Sequence, residues 1–385
     1  MTLESDSYLG STSRRRLLRA APGSLAFALA GGLFGGARVA SAQALTEGSV
    51  PQVDRLAVRV VTDSYHHAFE PTRALRDLRI QRYAFGLRKD AEPRTLLNEW
   101  GLSLHLESAR GSEQRQVLID FGYTAPTLNN NLDLLGIDVG RLDALLLSHG
   151  HYDHFGGLVG FLQAQRGKLR PDTPFVLGGE ECFCTREAGV GDAAGSFGAL
   201  DREAIRAARL QLQFAERPSL IADHGFTTGR IPAESFERVL APSRMSVGVK
   251  NGVGCAPEGL PEAKRSATLF IPDDFQHEQA TAYLVKDKGL VVMTSCGHRG
   301  IVNSVRTAQK VSGVKKVHAI LGGFHLAPHP PEYQRQTVQE LKALEPDWLI
   351  PMHCSGEVFI ALAMQELGDK VVRSSTGTRL TFGAA

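Results

Sequence analysis

The pattern of apolar and polar positions along the chain predicts alternating strands and helices, as in an α/β fold. Short apolar or alternating runs bounded by turn residues are typical of strands. Helical periodicity follows several of these runs, at 158–165, 302–311 and 332–344. The predicted strands are 56–61, 100–107, 116–122, 144–147, 174–177, 281–285, 290–293 and 317–321.

Three intervals lack a clean period, and they define the predicted organisation of the chain. Residues 43–55 are polar and are interpreted as a linker before the main domain, 56–385. Residues 66–98, with many arginines, are interpreted as a surface excursion. Residues 178–267 hold loose glycines and a helical segment at 201–210. We interpret them as an inserted capping region over the active site, because loops on a rigid scaffold carry most substrate contacts.

The densest chemical signal is the stretch LLLSHGHYDHFGG at 145–157. Here an apolar strand ends in four potential metal ligands, His149, His151, Asp153 and His154. A strand that passes into a helix directs alternate side chains to the two sides of a short loop. One such loop can therefore serve two neighbouring metal ions. Imidazole and carboxylate groups suit zinc, iron or manganese better than calcium or magnesium.

Three more histidines follow strands in the second half of the chain: His298 after 290–293, His325 after 317–321, and His353 at the end of a further strand-like segment, 347–353. Because strand ends in an α/β sheet line one crevice, we expect these side chains to converge on the pocket that holds residues 149–154. His105 alternates within a strand and is interpreted as a residue of the strand face. The other histidines are interpreted as surface or loop residues: His66, His67, His224, His277, His318 and His329.

The motif H-x-H-x-D-H after an apolar strand and before Gly-Gly resembles the signature of the metallo-β-lactamase fold superfamily. The resemblance implies an αβ/βα sandwich with the metal site along one edge. It also implies one ion held by His149, His151 and His298, and a second ion held by Asp153, His154 and His353. The chain departs from the family pattern where a bridging aspartate is usual, because it has His325 there. Cys296, two residues before His298, is a rival ligand for that position.

The resemblance is narrowed to one branch of the superfamily by four further segments, TSCGHRGIVN, GGFHL, PMHCSG and FTTGRIP. They resemble the branch of the superfamily that is annotated by similarity to the archaeal dihydropterin and ribofuranosylaminobenzene phosphate synthase. We expect a metal-dependent hydrolase with two divalent transition metal ions, zinc first and iron or manganese as alternatives. A metal-activated water is the expected nucleophile, and Asp153 is expected to orient it. The alternatives are a synthase that forms a bond to carbon and a non-catalytic metal-binding or ligand-binding protein.

The amino terminus predicts export. Residues 14–19, RRRLLR, precede a weakly apolar run at 20–39, and Ala40, Ser41 and Ala42 offer a small-residue cleavage site. This pattern resembles a twin-arginine signal peptide, 1–42, so the expected location is the periplasm and the expected partner is the twin-arginine export machinery. Glycines and Pro22 within the apolar run argue against a stable membrane anchor.

Composition excludes some classes of function and leaves others open. The segment 1–42 carries five arginines against two acidic residues, so its removal changes the net charge from +2 to −1, and no nucleic-acid surface is expected. Five cysteines are too few and too scattered for a disulfide scaffold. The expected substrate is a small molecule. A histidine instead of an aspartate at position 325 leaves the site one charge more positive, which favours an anionic phosphate or carboxylate ester.

Overall fold

A computed structural model describes residues 40–46, 48–83, 92–189, 194–240, 243–267 and 269–384. The segment 1–42 lies outside the described residues except for its last three. The strands, in chain order, are β1 (Ala40–Ser41), β2 (Gln52–Val53), β3 (Arg55–Thr62), β4 (Arg73–Leu75), β5 (Leu78–Gln81), β6 (Ser103–Arg110), β7 (Glu113–Ile119), β8 (Ala144–Leu147), β9 (Pro174–Leu177), β10 (Thr185–Ala188), β11 (Gly195–Ser196), β12 (Gln211–Phe214), β13 (Ser219–Ile221), β14 (Gly225–Thr227), β15 (Ser243–Ser246), β16 (Gly248–Lys250), β17 (Val253–Cys255), β18 (Ile271–Pro272), β19 (Thr281–Val285), β20 (Gly289–Thr294), β21 (Val317–Gly323), β22 (Trp348–Met352) and β23 (Arg379–Gly383).

The α-helices alternate with the strands along the chain. In chain order they are α1 (Ala125–Leu134), α2 (Tyr152–Phe155), α3 (Leu158–Ala164), α4 (Arg202–Ala207), α5 (Glu262–Arg265), α6 (Ile301–Ser312), α7 (Pro331–Ala343) and α8 (Glu357–Leu367). Among the described residues, no helix combines the length and apolar composition that crossing a membrane requires.

Two large sheets form the centre of the fold. In the first, the strand order is β1, β12, β9, β8, β7, β6, β3, β23, β5, β4. In the second it is β13, β14, β19, β20, β21, β22, with β2 beside β19. β8 is parallel to both of its neighbours in the first sheet, and β20, β21 and β22 are parallel in the second. The carboxyl ends of parallel strands open at one edge of a sheet, which is where the candidate ligands follow in the sequence.

Alternation along the central strands explains the layering. In β8, Leu146 packs into the core between the sheets, whereas Leu145 and Leu147 pack outward against α1 and α3. In β20, Val291 packs into the core between the sheets, whereas Val292 packs outward in the cluster formed with α6, α7 and α8. Because successive side chains of a strand point to opposite faces, strands that are apolar throughout cover a core on each side. The result is the αβ/βα sandwich that the sequence predicts.

The intervals without a clean period are more ordered than the sequence suggests. The interval 66–98 contributes β4 and β5 to the first sheet, because the short alternation of Leu78 and Ile80 buries one face. The interval 178–267 is divided: β12 joins the first sheet, and β13 and β14 join the second. β10, β11 and β15 form a separate small sheet with β18. Within 43–55, β2 pairs with β19 and Val53 is buried.

Candidate metal centre

The first half of the site grows out of the end of β8. The chain passes through Ser148 into the short helix α2, and His149, His151, Asp153 and His154 are all buried there. Gly150 permits the tight course of this loop. A Cβ atom at Gly150 would lie 2.6 Å from Nη1 of Arg186 and 2.7 Å from the carbonyl oxygen of Cys182. The glycine between the two histidines is therefore required by a buried guanidinium packed beneath it.

The second half follows from the parallel order of β20, β21 and β22. Thr294 pairs with Gly322, and Gly323 pairs with Met352, so the three strands end side by side. The residues immediately after these ends are Cys296 and His298, then His325, then His353 with Cys354. Hydrophobic strand packing thus fixes the convergence that the sequence predicts.

Three overlapping groups of donor atoms result, with all ligand atoms of a group within 4.8 Å of one another. Cys296 belongs to every one of them. The groups are Asp153, His154, Cys296 and His353; His149, Cys296 and His298; and Cys296, His325 and Cys354.

The donor atoms are buried and many lack a hydrogen-bond partner, which fits a metal centre. The unpartnered atoms include Nε2 of His149, Oδ1 of Asp153, Nδ1 of His353 and both ring nitrogens of His298 and His325. Burying unpaired polar atoms is costly unless something else satisfies them. Burial, followed by the neighbouring histidines, also lowers the pKa of His149 and of His298 well below the ordinary value, so both rings are neutral donors. The residues present therefore fit a transition metal site.

Comparison with known proteins agrees with this architecture. The family model of the metallo-β-lactamase superfamily matches residues 110–172, which include the loop after β8. A crystal structure described as a metal-dependent hydrolase of the β-lactamase superfamily matches with a TM-score of 0.60 at 22% identity, over 84% of this chain and 98% of that chain. The chain has the metallo-β-lactamase fold.

Two curated relatives extend the similarity beyond the metal loop. The chain is 26% identical over 288 residues to 7,8-dihydropterin-6-methyl-4-(β-D-ribofuranosyl)-aminobenzene-5′-phosphate synthase of Methanocaldococcus jannaschii, which covers 74% of this chain and 90% of the relative. It is 28% identical over 246 residues to an uncharacterized protein of the same archaeon, over 63% of this chain and 80% of the relative. The branch suggested by the sequence motifs is thus also found by comparison.

In this metallo-β-lactamase fold, Asp120 orients His154, a role the sequence reasoning did not assign. Asp120 follows β7, is fully buried and has a left-handed backbone with φ of 58°. Its carboxylate accepts hydrogen bonds from the Ser148 backbone N–H at 2.8 Å, the Ser148 hydroxyl at 2.7 Å and Nδ1 of His154 at 2.7 Å. Nε2 of His154 is thereby left for the metal groups, as is usual for a ligand histidine held by a carboxylate.

Asp153 and His353 link the two halves. Oδ2 of Asp153 lies 3.3 Å from Nε2 of His353 and 3.6 Å from Nε2 of His154. Burial opposes ionisation of Asp153, but His154 and His353 hold the pKa of its carboxyl below the ordinary value. Burial likewise opposes protonation of His353, but Cys354 and Asp153 raise its pKa to about 9.

Two buried thiols lie at the centre of the site. The Sγ atoms of Cys296 and Cys354 are 3.3 Å apart, and Sγ of Cys296 is also 3.3 Å from Nε2 of His154. Burial raises the pKa of Cys296 well above its ordinary value. Burial also opposes ionisation of Cys354, but the hydrogen bond with Cys296 and the charge of His353 hold its pKa well below the ordinary value. The sequence suggested Cys296 as a rival ligand, whereas the contact of Cys354 with this group emerges only in the structure.

His151 lies beside the donor groups without belonging to them. Its ring centre is 4.9 Å from that of His149 and 4.8 Å from that of His298. Its Nε2 atom is 2.9 Å from the hydroxyl of Ser243, which belongs to the small sheet of β10, β11, β15 and β18. Burial lowers the pKa of His151 to about 3. Its predicted place on the first ion, with His149 and His298, stays a prediction.

Several histidines that the sequence placed at the surface or in loops are buried. His277 lies under the metal loop, where its Nε2 atom accepts hydrogen bonds from the Gly150 N–H at 3.0 Å and from Arg186 at 3.1 Å. His224 and His318 are fully buried as well. His318 lies within β21, so its interpretation as a surface or loop residue is wrong. His224 and His277 do lie in turns, but their side chains are buried because each meets a polar partner from a distant segment. His105, by contrast, lies on β6 as predicted, 3.2 Å from Oε1 of Gln116.

Glu278 is a second support that the sequence did not reveal. Its carboxylate accepts hydrogen bonds from the backbone N–H groups of His298 at 2.9 Å and Arg299 at 2.6 Å. Burial raises the pKa of Glu278 to about 7. It holds the turn after β20 from below, as Asp120 holds the loop after β8.

Proposed function

We propose that the protein is an exported metal-dependent hydrolase that acts on an anionic ester. The observation that carries the proposal is the convergence of buried, unpartnered imidazole nitrogens and a carboxylate oxygen at one edge of an αβ/βα sandwich. First-row divalent ions, zinc above all, would supply a Lewis acid and a nucleophilic water at neutral pH when bound. The expected content is two ions.

The residues of the site divide into candidate metal ligands and residues that position those ligands. His149 and His298 would hold one ion, with His151 or Cys296 as a further ligand. Asp153, His154 and His353 would hold the other. Asp120 fixes the orientation of His154, and Glu278 fixes that of the His298 loop.

Asp153 is the candidate catalytic residue. Its Oδ2 atom faces His353 and His154, whereas its Oδ1 atom is buried without a hydrogen-bond partner. Its pKa is lowered, so the carboxylate is ionised at neutral pH and can accept a hydrogen bond from the attacking water.

The preference for an anion rests on His325. An aspartate there would add a negative charge, and a unit charge at about 4 Å is worth on the order of 4 kcal/mol at an effective dielectric of about 20, before desolvation. Cys354 works against this effect, because it shares a group of donor atoms with His325 and the lowered pKa of its thiol favours a negative charge there. The two effects can be separated by substitution, since His325→Asp should weaken the anion preference and Cys354→Ser should strengthen it.

A synthase is the second candidate. It is supported by the 26% identity to an archaeal protein named as a synthase, over 74% of this chain. A bond-forming enzyme on this site would use the same donor atoms, so hydrolysis and synthesis have to be distinguished by their products.

Export is supported by one covalent feature. Cys184 and Cys255 form a disulfide between the segment after β9 and the end of β17. Disulfides persist in oxidising compartments such as the bacterial periplasm and are rare in the cytosol. This pairing was not expected from the scattered cysteines, because the two residues are 71 positions apart in the sequence.

An activity panel on metal-quantified protein tests the proposal. The substrates are a phosphodiester, a phosphomonoester, an aryl ester, a lactone and a β-lactam. We expect the anionic esters to react fastest, and Asp153→Asn to lose at least about a hundredfold in kcat. Fully loaded protein that hydrolyses none of them would refute the hydrolase proposal. Preference for the lactone or β-lactam, or an unchanged preference in His325→Asp at full metal content, would refute the charge argument alone.

A further inference from the structure

A half-exposed tryptophan stands at the edge of the metal centre. Trp100 is 53% exposed, and its indole centre lies 4.8 Å from the ring centre of His353 at an interplanar angle of 35°. The other tryptophan of the chain, Trp348, is 1% exposed. Trp100 therefore combines a large uncovered aromatic surface with contact to a candidate ligand.

The backbone around Trp100 is held on both sides. Before it, the carboxylate of Glu99 accepts hydrogen bonds from the backbone N–H groups of Tyr123 at 2.7 Å and Thr124 at 2.9 Å. After it, the N–H of Leu102 donates to the carbonyl oxygen of Asp153 at 3.2 Å. The segment that presents the indole is thus attached directly to the metal loop.

Gly101 makes this attachment possible. A Cβ atom there would lie 2.6 Å from the backbone nitrogen of Tyr123 and 2.8 Å from the carbonyl oxygen of Asp153. A side chain at position 101 would push the segment away from the metal loop. The exposure of Trp100 is consequently part of a tightly fitted arrangement around the site.

Further aromatic rings continue along the metal loop. Tyr123 is partly exposed, and its ring centre lies 5.0 Å from that of Tyr152. Tyr152 is followed by Phe197, at 6.3 Å, and Phe197 lies 5.2 Å from His151. The two ends of the candidate metal site, at His353 and at His151, therefore each touch an aromatic side chain.

We propose that Trp100 is a stacking platform for a planar aromatic group of the substrate, so that the site prefers aromatic over saturated anionic esters. The proposal rests on the proposed hydrolase function, because it assumes that an ester is the substrate. It concerns binding, however, and can be tested without turnover. Indole faces favour offset or edge-on contact with other π-systems, beyond the gain from apolar burial. Because the indole lies 4.8 Å from the ring of a candidate metal ligand, a group attached to an ester at the metal centre can reach it.

Two non-hydrolysable ligands of matched size test the preference. Phenylphosphonate and cyclohexylphosphonate carry the same anionic head and differ in the planarity of the ring. In zinc-loaded protein of measured metal content, calorimetry should give about tenfold tighter binding of phenylphosphonate. Phenylphosphonate should also change the emission of Trp100, which is distinguishable because the only other tryptophan is buried and Trp100→Phe leaves that one alone.

Matched variants separate stacking from mere cover over His353. Trp100→Phe keeps an aromatic ring and should retain most of the phenyl preference. Trp100→Leu keeps apolar cover but removes the π-face, and should bind both phosphonates about equally. Leu97→Ala removes another exposed apolar side chain from the same segment and should leave the preference unchanged.

The outcomes distinguish this proposal from the hydrolase proposal. Equal affinity of the two phosphonates for the native protein, or an unchanged preference in Trp100→Leu at equal metal content, would overturn the platform even if esters are hydrolysed. A phenyl preference that depends on Trp100 would support it even if no ester in the panel reacts.

Discussion

The substitution Asp120→Asn tests whether the carboxylate beneath the metal loop sets the metal affinity of the site. Asp120 accepts three hydrogen bonds, two from Ser148 and one from Nδ1 of His154. The bond to His154 fixes the ring so that Nε2 faces Cys296 and Asp153. Asparagine has nearly the same shape, but it replaces one acceptor oxygen by a donor.

The expected loss of metal affinity follows from the number of hydrogen bonds that asparagine cannot accept. If the amide nitrogen takes the place of Oδ2, it meets both the Ser148 hydroxyl and the N–H of His154; if it takes the place of Oδ1, it meets the Ser148 backbone N–H. The amide cannot accept all three bonds in either orientation. A lost hydrogen bond to a charged group costs about 1.5–3 kcal/mol. Partners behind a ligand histidine change metal affinity by about 10-fold to 100-fold. We therefore expect Asp120→Asn to lower the zinc affinity by about 10-fold to 100-fold.

The sign of the pH dependence gives a second readout. Burial opposes protonation of His154, but the charges of Asp153 and Asp120 and the hydrogen bond to Asp120 raise its pKa above the ordinary value. Protons therefore compete with metal for His154 up to a higher pH than for a free histidine. Asp120→Asn removes part of this rise, so competition ends at a lower pH. The affinity difference between native protein and variant should narrow as the pH falls.

The assay is a zinc titration of metal-free protein against a competing chelator, at several pH values, with circular dichroism to verify the fold. Asp347→Asn is the matched control, because Asp347 accepts from Nδ1 of His318 at 2.8 Å in a similar pair away from the site. Zinc affinity within twofold of native in a folded Asp120→Asn protein would refute the reasoning. An equal loss in Asp347→Asn would show that the effect is not local.

Three further predictions concern stability and export. Burial lowers the pKa of His105 to about 4, so below about pH 6.5 this residue is protonated in the unfolded chain but stays neutral in the folded protein. The free energy of unfolding therefore falls between pH 7 and pH 5, and His105→Gln should remove up to about 2 kcal/mol of that fall, measured by urea unfolding. The disulfide between Cys184 and Cys255 closes a sequence separation of 71 residues, and replacing both by serine should cost about 2–4 kcal/mol and abolish the effect of reductant on unfolding. Amino-terminal sequencing of periplasmic protein should begin at Gln43, and export unaffected by replacing Arg14 and Arg15 with lysine would exclude the twin-arginine route.

The cleavage prediction has a structural consequence. Ala40 and Ser41 pair with Gln213 and Phe214 at the outer end of the first sheet, and the N–H of Ala42 donates to the carbonyl oxygen of Phe214 at 3.1 Å. Cleavage after Ala42 would remove β1 and leave β12 as the edge strand. Unprocessed protein should therefore protect the amide groups of β12 from hydrogen exchange better than mature protein does.

The central strands could be predicted from the sequence because their burial is nearly complete on both faces. The predicted bounds 144–147, 174–177 and 281–285 coincide with β8, β9 and β19. Strands near the two ends of the first sheet, such as β5 and β12, are four residues long and only partly buried, so their periodicity is too short to separate from a loop. Their place in the sheet depends on pairing with distant segments, and one sequence does not specify that register.

The same distinction holds within the candidate site. Histidines directly after central strands could be predicted to converge, because the parallel ends of β20, β21 and β22 have no alternative edge to reach. The supports Asp120, Glu278 and His277 could not, because each acts through a contact with another loop. Asp120 carried the one available signal, the Asp-x-Gly step after a strand, and its left-handed φ of 58° is consistent with a tight turn at that point.

The choice between His325 and Cys296 shows where sequence reasoning about a site reaches its end. By sequence order, His325 occupies the position where a bridging aspartate is usual, so it was the natural ligand. In space, Cys296 is the residue that all three donor groups share, and His325 enters only the group that also contains Cys354. A bridging ligand has to reach both ions, and centrality among the donor atoms is therefore a better criterion than position in a motif. By that criterion Cys296 is the stronger candidate for the role that the missing aspartate leaves open, while the metal role of His325, whose ring centre lies 3.9 Å from that of His298, stays a prediction.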